Sequence, residues 1–210
     1  MVTGVKGKRT YSTSLRREQA QMTRQRILEV ARRLLVSGSY SRVTMEEIAR
    51  EAGVAYQTLF SIFGTKLRLA QTMVEAGWPH IPKALTLVEG ARASGDPEVW
   101  LRTMATVSRR IFEPCADLDR FMRESGDPDL LARYREIQRG RYSRLAELGP
   151  LLERSGRLRS TLSPAEAVSI VWAMTGPDYY IQYVFERGWS PDRFEAWLSD
   201  ALVDLVLVRS

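Results

Sequence analysis

The chain has 210 residues, a net charge of +6, one cysteine and one histidine. This length allows one or two small domains with a sizeable buried core. The single Cys115 excludes a disulfide within the chain and favours a reducing compartment, and a single histidine excludes a metal site built from several histidines.

The first residues have no apolar segment of a secretory signal, and no run of ~20 apolar residues suits a membrane span. We therefore expect a cytoplasmic protein. The positive charge is concentrated at one end, since residues 1–68 hold thirteen Lys or Arg against five Asp or Glu. The rest holds eighteen against twenty, so the positive end is the part suited to nucleic acid.

Residues 1–14 mix Gly, Ser, Thr, Lys and Arg without periodicity, and they predict a disordered basic arm. Two interpretations stay open, an arm that follows a DNA groove and a solvated tail that aids solubility. The cations concerned are Lys6, Lys8, Arg9, Arg16 and Arg17. An apolar stripe then predicts a long helix from about Leu15 to Val36.

Two short helices follow, joined at a glycine. Thr44 and Glu47 have the spacing of a capping box, and the helix they begin ends at Gly53. A second short helix starts at Val54 and Ala55 and ends at Gly64. This spacing is typical of a helix-turn-helix, whose second helix enters the DNA major groove.

The second short helix has two different faces. Leu59, Ile62 and Phe63 share one side and are expected to pack inward. The opposite side carries an amide and aromatic rings, which can contact adenine and thymine methyl groups. The alternative is an ordinary helical hairpin with Tyr56 and Phe60 in a core. The predicted DNA-binding residues are Thr44, Tyr56, Gln57, Thr58, Phe60, Ser61 and, as a phosphate contact, Lys66.

The segment GVAYQTLFSIFGTK resembles the recognition-helix region of the tetracycline-repressor (TetR) family of regulators. The positions of that pattern are occupied here by Gly53, Val54, Thr58, Leu59, Phe60, Ile62, Phe63 and Lys66, and the match extends upstream through TMEEIAREA. The C-terminal segment from Val171 to Leu198 also resembles an actinobacterial-type subgroup of such regulators. Phe60 and Ile62 depart from the pattern, because the family usually has polar aromatic residues there.

Downstream, helix starts are regularly marked. Asp96-Pro97, Asp127-Pro128, Ser163-Pro164 and Ser190-Pro191 each place an N-cap residue before a proline at the first helical position. No alternating strand pattern is present, so the fold is expected to be all-α. The predicted domains are the arm 1–14, a three-helix helix-turn-helix domain 15–66, and a helical ligand-binding and dimerisation domain 67–210.

The last helices have apolar stripes on more than one side, which suggests a twofold partner in addition to the chain's own core. The resemblance implies the same, since these regulators pair through their last two helices. The predicted dimer-interface residues are Val168, Val171, Phe194, Trp197, Leu198, Ala201, Leu202 and Leu205.

The resemblance also implies a pocket for a small apolar or amphipathic effector between the middle helices, although Met and aromatic residues at helical spacing more often form core. The predicted lining is Trp100, Met104, Phe121, Tyr134, Ile137, Trp172, Thr175 and Tyr179. No cofactor, metal site or catalytic residue is expected: His80 is alone and Cys115 has no basic neighbour in sequence.

Together these features predict a ligand-responsive transcriptional regulator that binds a palindromic operator as a homodimer and is released by a small molecule. In this family a repressor is more common than an activator. The alternative is a helical ligand-binding or scaffold protein without sequence-specific DNA binding, which the departures at Phe60 and Ile62 favour.

Overall fold

A computed structural model describes the backbone of residues 7–78 and 81–208. Lys6, the side chains of Lys8 and Arg9, and His80 lie outside what it describes. In the described ranges the chain forms twelve α-helices and a π-helical segment, Ile181–Glu186, and it has no β-strand, so the predicted all-α class is confirmed. None of the described helices is long and apolar enough to cross a membrane.

Contacts divide the chain into two compact units, Met1–Ala76 and Gly77–Ser210. The first contains α1 (Gly7–Ser37), α2 (Met45–Glu51), α3 (Tyr56–Phe63) and α4 (Lys66–Ala76). Its core is formed by apolar side chains that are at most 1% exposed, Ile27, Ala31, Leu35, Ile48, Leu59, Leu69 and Ala70.

The first unit differs from the prediction at both ends. Helix α1 begins at Gly7, inside the segment predicted to be a disordered arm. Helix α4 packs against α1, so the unit extends to Ala76 and not to Lys66. Thr65 Oγ1 accepts a hydrogen bond from Arg68 N at 3.1 Å and caps the start of α4, as its sequence position predicts.

The second unit contains eight helices in the described residues and the π-helical segment. The helices are α5 (Ile81–Ala93), α6 (Pro97–Phe112), α7 (Ala116–Glu124), α8 (Pro128–Leu145), α9 (Leu148–Ser155), α10 (Pro164–Met174), α11 (Pro177–Tyr180) and α12 (Pro191–Val206). The four predicted Asp-Pro and Ser-Pro starts all form, with the side chain of each cap accepting a backbone hydrogen bond. Ser163 and Glu166 complete a reciprocal capping box.

Two prolines set the breaks in this unit. A proline lacks an N–H group and its ring clashes with the carbonyl four residues earlier. Helix α8 ends at Ala146, which is four residues before Pro150. Helix α10 likewise ends just after Ala173, which is four residues before Pro177. Helix α12 packs along α6, and Phe194, Leu198 and the other buried residues of α12 form the centre of the core with Trp100, Leu101 and Ala105.

Candidate nucleic-acid interface and internal cavity

Helices α2 and α3 form the predicted helix-turn-helix. Thr44 Oγ1 accepts a hydrogen bond from Glu47 N at 3.1 Å and caps α2. Gly53, in the turn between the helices, has φ +63°, a conformation that glycine adopts without strain. Leu59 and Phe63, 0% and 4% exposed, fix α3 to the unit's core, while Ile62 is half-buried.

The outward side of α3 is open to solvent. Tyr56 is 38% and Phe60 52% exposed, and their rings stack with centroids 6.0 Å apart. Gln57, Thr58 and Ser61 are exposed beside them. The alternative in which Tyr56 and Phe60 lie in a core is therefore excluded for this unit. The face combines amide, hydroxyl and aromatic groups and carries no acidic residue.

Lys66 has a role that the sequence did not predict. Its ammonium group donates to the backbone carbonyl oxygens of Tyr40 and Val43, at 2.7 and 3.1 Å, and lies 4.5 Å from the Tyr40 ring centroid. The side chain is partly buried. Its positive charge stabilises the loop before α2, so a phosphate must compete with two carbonyl acceptors for it.

One exposed cation near α2 was missed. Arg42 lies two residues before the cap residue Thr44, and both are exposed. In the sequence, the position of this cation just before the first helix of the helix-turn-helix marks it as a candidate phosphate contact. Phosphate groups of DNA are bound by such combinations of cations, hydroxyl groups and backbone amides.

The second unit contains a cavity of about 90 Å³. Its lining is mainly apolar and comes from α5, α6 and α8, with single residues of other segments. The lining residues are Trp78, Leu85, Val88, Met104, Val107, Ser108, Ile111, Phe112, Asp119, Ile137, Gln138, Arg141, Arg144, Leu145 and Thr175.

Three of the eight residues predicted to line a pocket do line it, namely Met104, Ile137 and Thr175. The other five have different neighbours. Trp100 and Phe121 are core residues, Trp172 packs edge-on against Tyr142, and Tyr179 stacks on Tyr183 and Trp197. Tyr134 lies in the electrostatic environment of Arg123 and Asp178, and its burial raises the pKa of its hydroxyl group.

The polar end of the cavity is organised around Arg141. Its Nε donates to Gln138 Oε1 at 3.1 Å and one terminal nitrogen donates to Thr175 Oγ1 at 3.2 Å. The centre of the guanidinium lies 5.1 Å from the Trp172 ring centroid. A Cβ atom at Gly176 would approach another terminal nitrogen to 3.1 Å, so glycine leaves room for this guanidinium.

Asp119 is the second charged group here, and it is only 3% exposed. Burial raises the pKa of its carboxyl group to about 7, and the nearby positive charge of Arg141 offsets part of that rise. Burial lowers the pKa of Arg141 to about 10, and Asp119 opposes that shift. Neither residue was predicted, although Asp119 and Arg141 occupy positions of apolar helical stripes, between Cys115 and Met122 and between Ile137 and Leu145.

Two neutral polar groups of the lining are also notable. In the described part of the chain, Ser108 Oγ and Trp78 Nε1 are buried and have no hydrogen-bond partner. A buried polar group without a partner is energetically unfavourable and commonly marks a place where water or a ligand binds. The cavity therefore has unused hydrogen-bonding capacity on its walls.

Most of the predicted dimer-interface residues are covered by the chain itself. Val168, Val171, Phe194, Leu198 and Leu202 are at most 3% exposed in the core of the second unit, so they are not available to a partner surface. Trp197 and Ala201 are half-buried, and Leu205 is 46% exposed. These last three form a partly exposed edge of α12, where Trp197 and Ala201 also pack against the core of the second unit.

Cys115, which the sequence does not favour as a nucleophile, is 1% exposed, and its thiol donates to the carbonyl oxygen of Ile111 at 2.8 Å. Across residues 7–78 and 81–208, no group of three or more His, Cys, Asp or Glu side chains is placed to hold a metal ion.

Comparison with known proteins gives a family for the first unit. Residues 27–73 match the family model described as bacterial regulatory proteins, tetR family, a span that covers α2 and α3 entirely. No curated protein matches the chain in a sequence search.

Solved structures share the fold of the chain. NalD of Pseudomonas aeruginosa, the secondary repressor of the MexAB-OprM multidrug efflux pump, is 19% identical with a TM-score of 0.67, over 91% of this chain and 100% of NalD. The MbdR regulator of Azoarcus sp. CIB is 19% identical with a TM-score of 0.70, over 89% and 100%. The TetR family transcriptional regulator PfmR of Thermus thermophilus is 20% identical with a TM-score of 0.63, over 86% and 96%.

The family match falls on the helix-turn-helix, whose α3 face exposes amide, hydroxyl and aromatic groups. Residues 27–73 of this N-terminal unit therefore form a helix-turn-helix of the kind described as bacterial regulatory proteins, tetR family.

Proposed function

We propose that the protein is a repressor that binds a palindromic operator as a homodimer and leaves it when a small apolar or amphipathic molecule occupies the cavity of the second unit. The observation that carries the proposal is the exposed face of α3. On that face lie Tyr56, Gln57, Phe60 and Ser61, while Leu59 and Phe63 on the opposite face of α3 are buried in the core of the first unit.

Each residue of this face has a chemical role in the proposal. Gln57 reads adenine through its amide, and the rings of Tyr56 and Phe60 contact thymine methyl groups. Thr58 and Ser61 supply hydroxyl groups to bases or phosphates. Thr44 accepts from Glu47 N, which leaves its own O–H free to donate to a phosphate oxygen. Arg42 replaces Lys66 as the proposed phosphate cation.

Dimerisation follows from the geometry of DNA. Two recognition helices read successive major grooves when they are roughly 34–36 Å apart, so one copy of this short motif needs a partner. We place the partner against the partly exposed edge of α12, at Trp197, Ala201 and Leu205, because the remaining predicted interface residues are already buried.

Release by a ligand requires two states with different affinity for that ligand. In the proposal, the state that binds the effector best holds the two recognition helices at a spacing that no longer matches the operator. Helix α4 precedes the second unit directly in the chain, so its movement is the proposed route of coupling.

The test starts with selection of duplexes from a random library, since the operator is not known in advance. Gln57→Ala is then compared with Gln182→Ala, an exposed glutamine of the second unit, by fluorescence anisotropy. We expect Gln57→Ala to lose roughly 10- to 100-fold in affinity for the selected duplex. The control should bind as the parent protein does.

Salt dependence separates the proposal from its alternative. A DNA-binding repressor loses affinity steeply as salt rises, because phosphate contacts release counterions.

Failure to enrich any duplex, or a selected duplex that Gln57→Ala binds normally, would reject the proposal. Such a result favours a helical ligand-binding or scaffold protein.

A further inference from the structure

The chemical groups of the cavity define the class of molecule that it suits. Arg141, Gln138 and Thr175 form one hydrogen-bonded polar group in the lining, and most of the other lining residues are aliphatic or aromatic. A complementary ligand therefore has an apolar body and one polar end.

The charges of the lining favour an anion. Arg141 and Arg144 line the cavity with Asp119 as the acidic residue, so the lining has an excess of one positive charge when all three are ionised. An ammonium group placed here would be repelled by two guanidinium groups. A neutral head would leave the partly buried charge of Arg141 without a full counterion.

The geometry of Arg141 also suits an anion. Two of its five N–H groups are engaged by Gln138 and Thr175, which fix the plane of the guanidinium. The other N–H groups are available to a carboxylate, whose two oxygens can accept from the fork of a guanidinium bidentately. Ser108 Oγ and Trp78 Nε1, buried without partners among the described residues, offer further donors on the walls.

From this arrangement we propose that the cavity binds an organic acid, with its carboxylate on the Arg141 guanidinium and its apolar body among Val88, Met104 and Ile137. The inference rests on the proposed function in one respect, because it takes this cavity as the effector site. It names the effector class as carboxylate-bearing amphiphiles.

Asp119 makes the binding depend on pH. Its carboxyl group and the incoming carboxylate share the field of Arg141, so binding of the anion raises the pKa of Asp119 further. Protonated Asp119 does not repel the ligand, whereas ionised Asp119 does. The other charged groups around Asp119 are Asp117 and Arg123 on α7 and Asp178 on α11. Binding should therefore take up a proton and weaken as the pH rises above about 7.

Isothermal titration calorimetry with three eight-carbon probes tests the charge preference on the intact protein without DNA. The probes are octanoate, 1-octanol and octylammonium, which share a chain and differ in the charge of the head. Octanoate should bind most tightly and octylammonium least. Binding of octylammonium as tight as that of octanoate, or no binding of octanoate, overturns the proposal.

Variants test the residue assignment. Arg141→Met should lower octanoate affinity roughly 10- to 100-fold and leave octanol affinity within about twofold. Arg139→Met, an exposed arginine on the same helix, is the matched control. Unchanged octanoate binding by folded Arg141→Met overturns the proposal.

Asp119→Asn provides a second test that keeps the guanidinium in place. It should bind octanoate more tightly than the parent protein at pH 8, and its affinity should no longer fall between pH 6 and 8. An unaltered pH profile rejects the arrangement even if Arg141→Met fails to fold. Since no titration here involves DNA, failure of the ligand class leaves the operator test of the proposed function unaffected.

Discussion

Lys66 Nζ donates a hydrogen bond to the backbone carbonyl oxygen of Tyr40 at 2.7 Å and lies 4.5 Å from the centroid of its ring. A further hydrogen bond to Val43 O, at 3.1 Å, completes the contact. The first residue of α4 is thereby fixed to the loop between α1 and α2. The lysine that the sequence suggests as a phosphate contact therefore stabilises the helix-turn-helix through the loop between α1 and α2.

This contact predicts that Lys66→Met lowers the free energy of unfolding, because two charge-assisted hydrogen bonds are lost. The expected change is about 1–3 kcal/mol, measured by urea denaturation. The slope of DNA affinity against salt should stay the same, whereas loss of a phosphate contact would reduce it by about one. Arg68→Met, exposed on the same helix, is the stability control. A smaller salt slope at unchanged stability would restore the phosphate assignment.

Gly64 ends the recognition helix with φ +72° and ψ −62°, a conformation that L-residues rarely adopt. We expect Gly64→Ala to destabilise the first unit by about 1–2 kcal/mol in thermal or urea unfolding, although no atom crowds the new methyl group.

Gly90 supplies the matched control, because it lies exposed inside α5 with helical backbone and open space around it. Gly90→Ala should stabilise the second unit by about 0.5–1 kcal/mol. Equal effects of the two substitutions would mean that backbone conformation at Gly64 is not the cause.

Local chemistry explains what the sequence predicted well. Helix starts at Asp96, Asp127, Ser163 and Ser190 form as expected, because a cap and a following proline act within a few residues. The exposed face of α3 follows in the same way from helical periodicity over eight residues.

The partners of apolar faces were harder to predict. The stripe of α12 was assigned to a second copy, yet Phe194, Leu198 and Leu202 pack within the second unit, where α12 lies along α6. Periodicity shows that a face is apolar and does not show what covers it. Periodicity likewise could not predict the cavity, because Asp119 and Arg141 come together only through the packing of α7, α8 and α10.

Arg109 connects α6 to α12 and predicts a measurable electrostatic contribution. Its guanidinium contacts Asp192 and donates to Glu195 at 3.0 Å and to Glu113 at 3.2 Å, with a side chain that is 25% exposed. These carboxylates raise the pKa of Arg109 further above its ordinary value. Arg109→Met leaves three carboxylates close together and should destabilise the second unit by about 1–2 kcal/mol at low salt.

The salt dependence identifies the cause of that loss. The destabilisation by Arg109→Met should be smaller at 0.5 M salt (about a 4 Å screening length), because partly exposed charges are screened. Arg110→Met, on the exposed side of the same helix, should change stability by less than about 0.5 kcal/mol. A loss that is independent of salt would instead indicate packing of the arginine's aliphatic part.

The last prediction concerns Asp119, whose carboxyl pKa is raised by burial from 3.8 to about 7. Between these values the folded chain keeps a proton that the unfolded chain releases, so this group's contribution to stability is full below about pH 4 and is lost as the pH rises through 7. Asp119→Asn resembles the protonated form and cannot ionise. Its unfolding free energy relative to the parent protein should therefore increase from pH 5 to pH 8, by up to roughly 3 kcal/mol (two pH units at about 1.4 kcal/mol each), in paired urea titrations. Asp117→Asn, a half-buried neighbour on the same helix, should show no comparable trend. A constant difference between Asp119→Asn and the parent protein across this range would mean that the carboxyl group is ionised in the folded chain throughout.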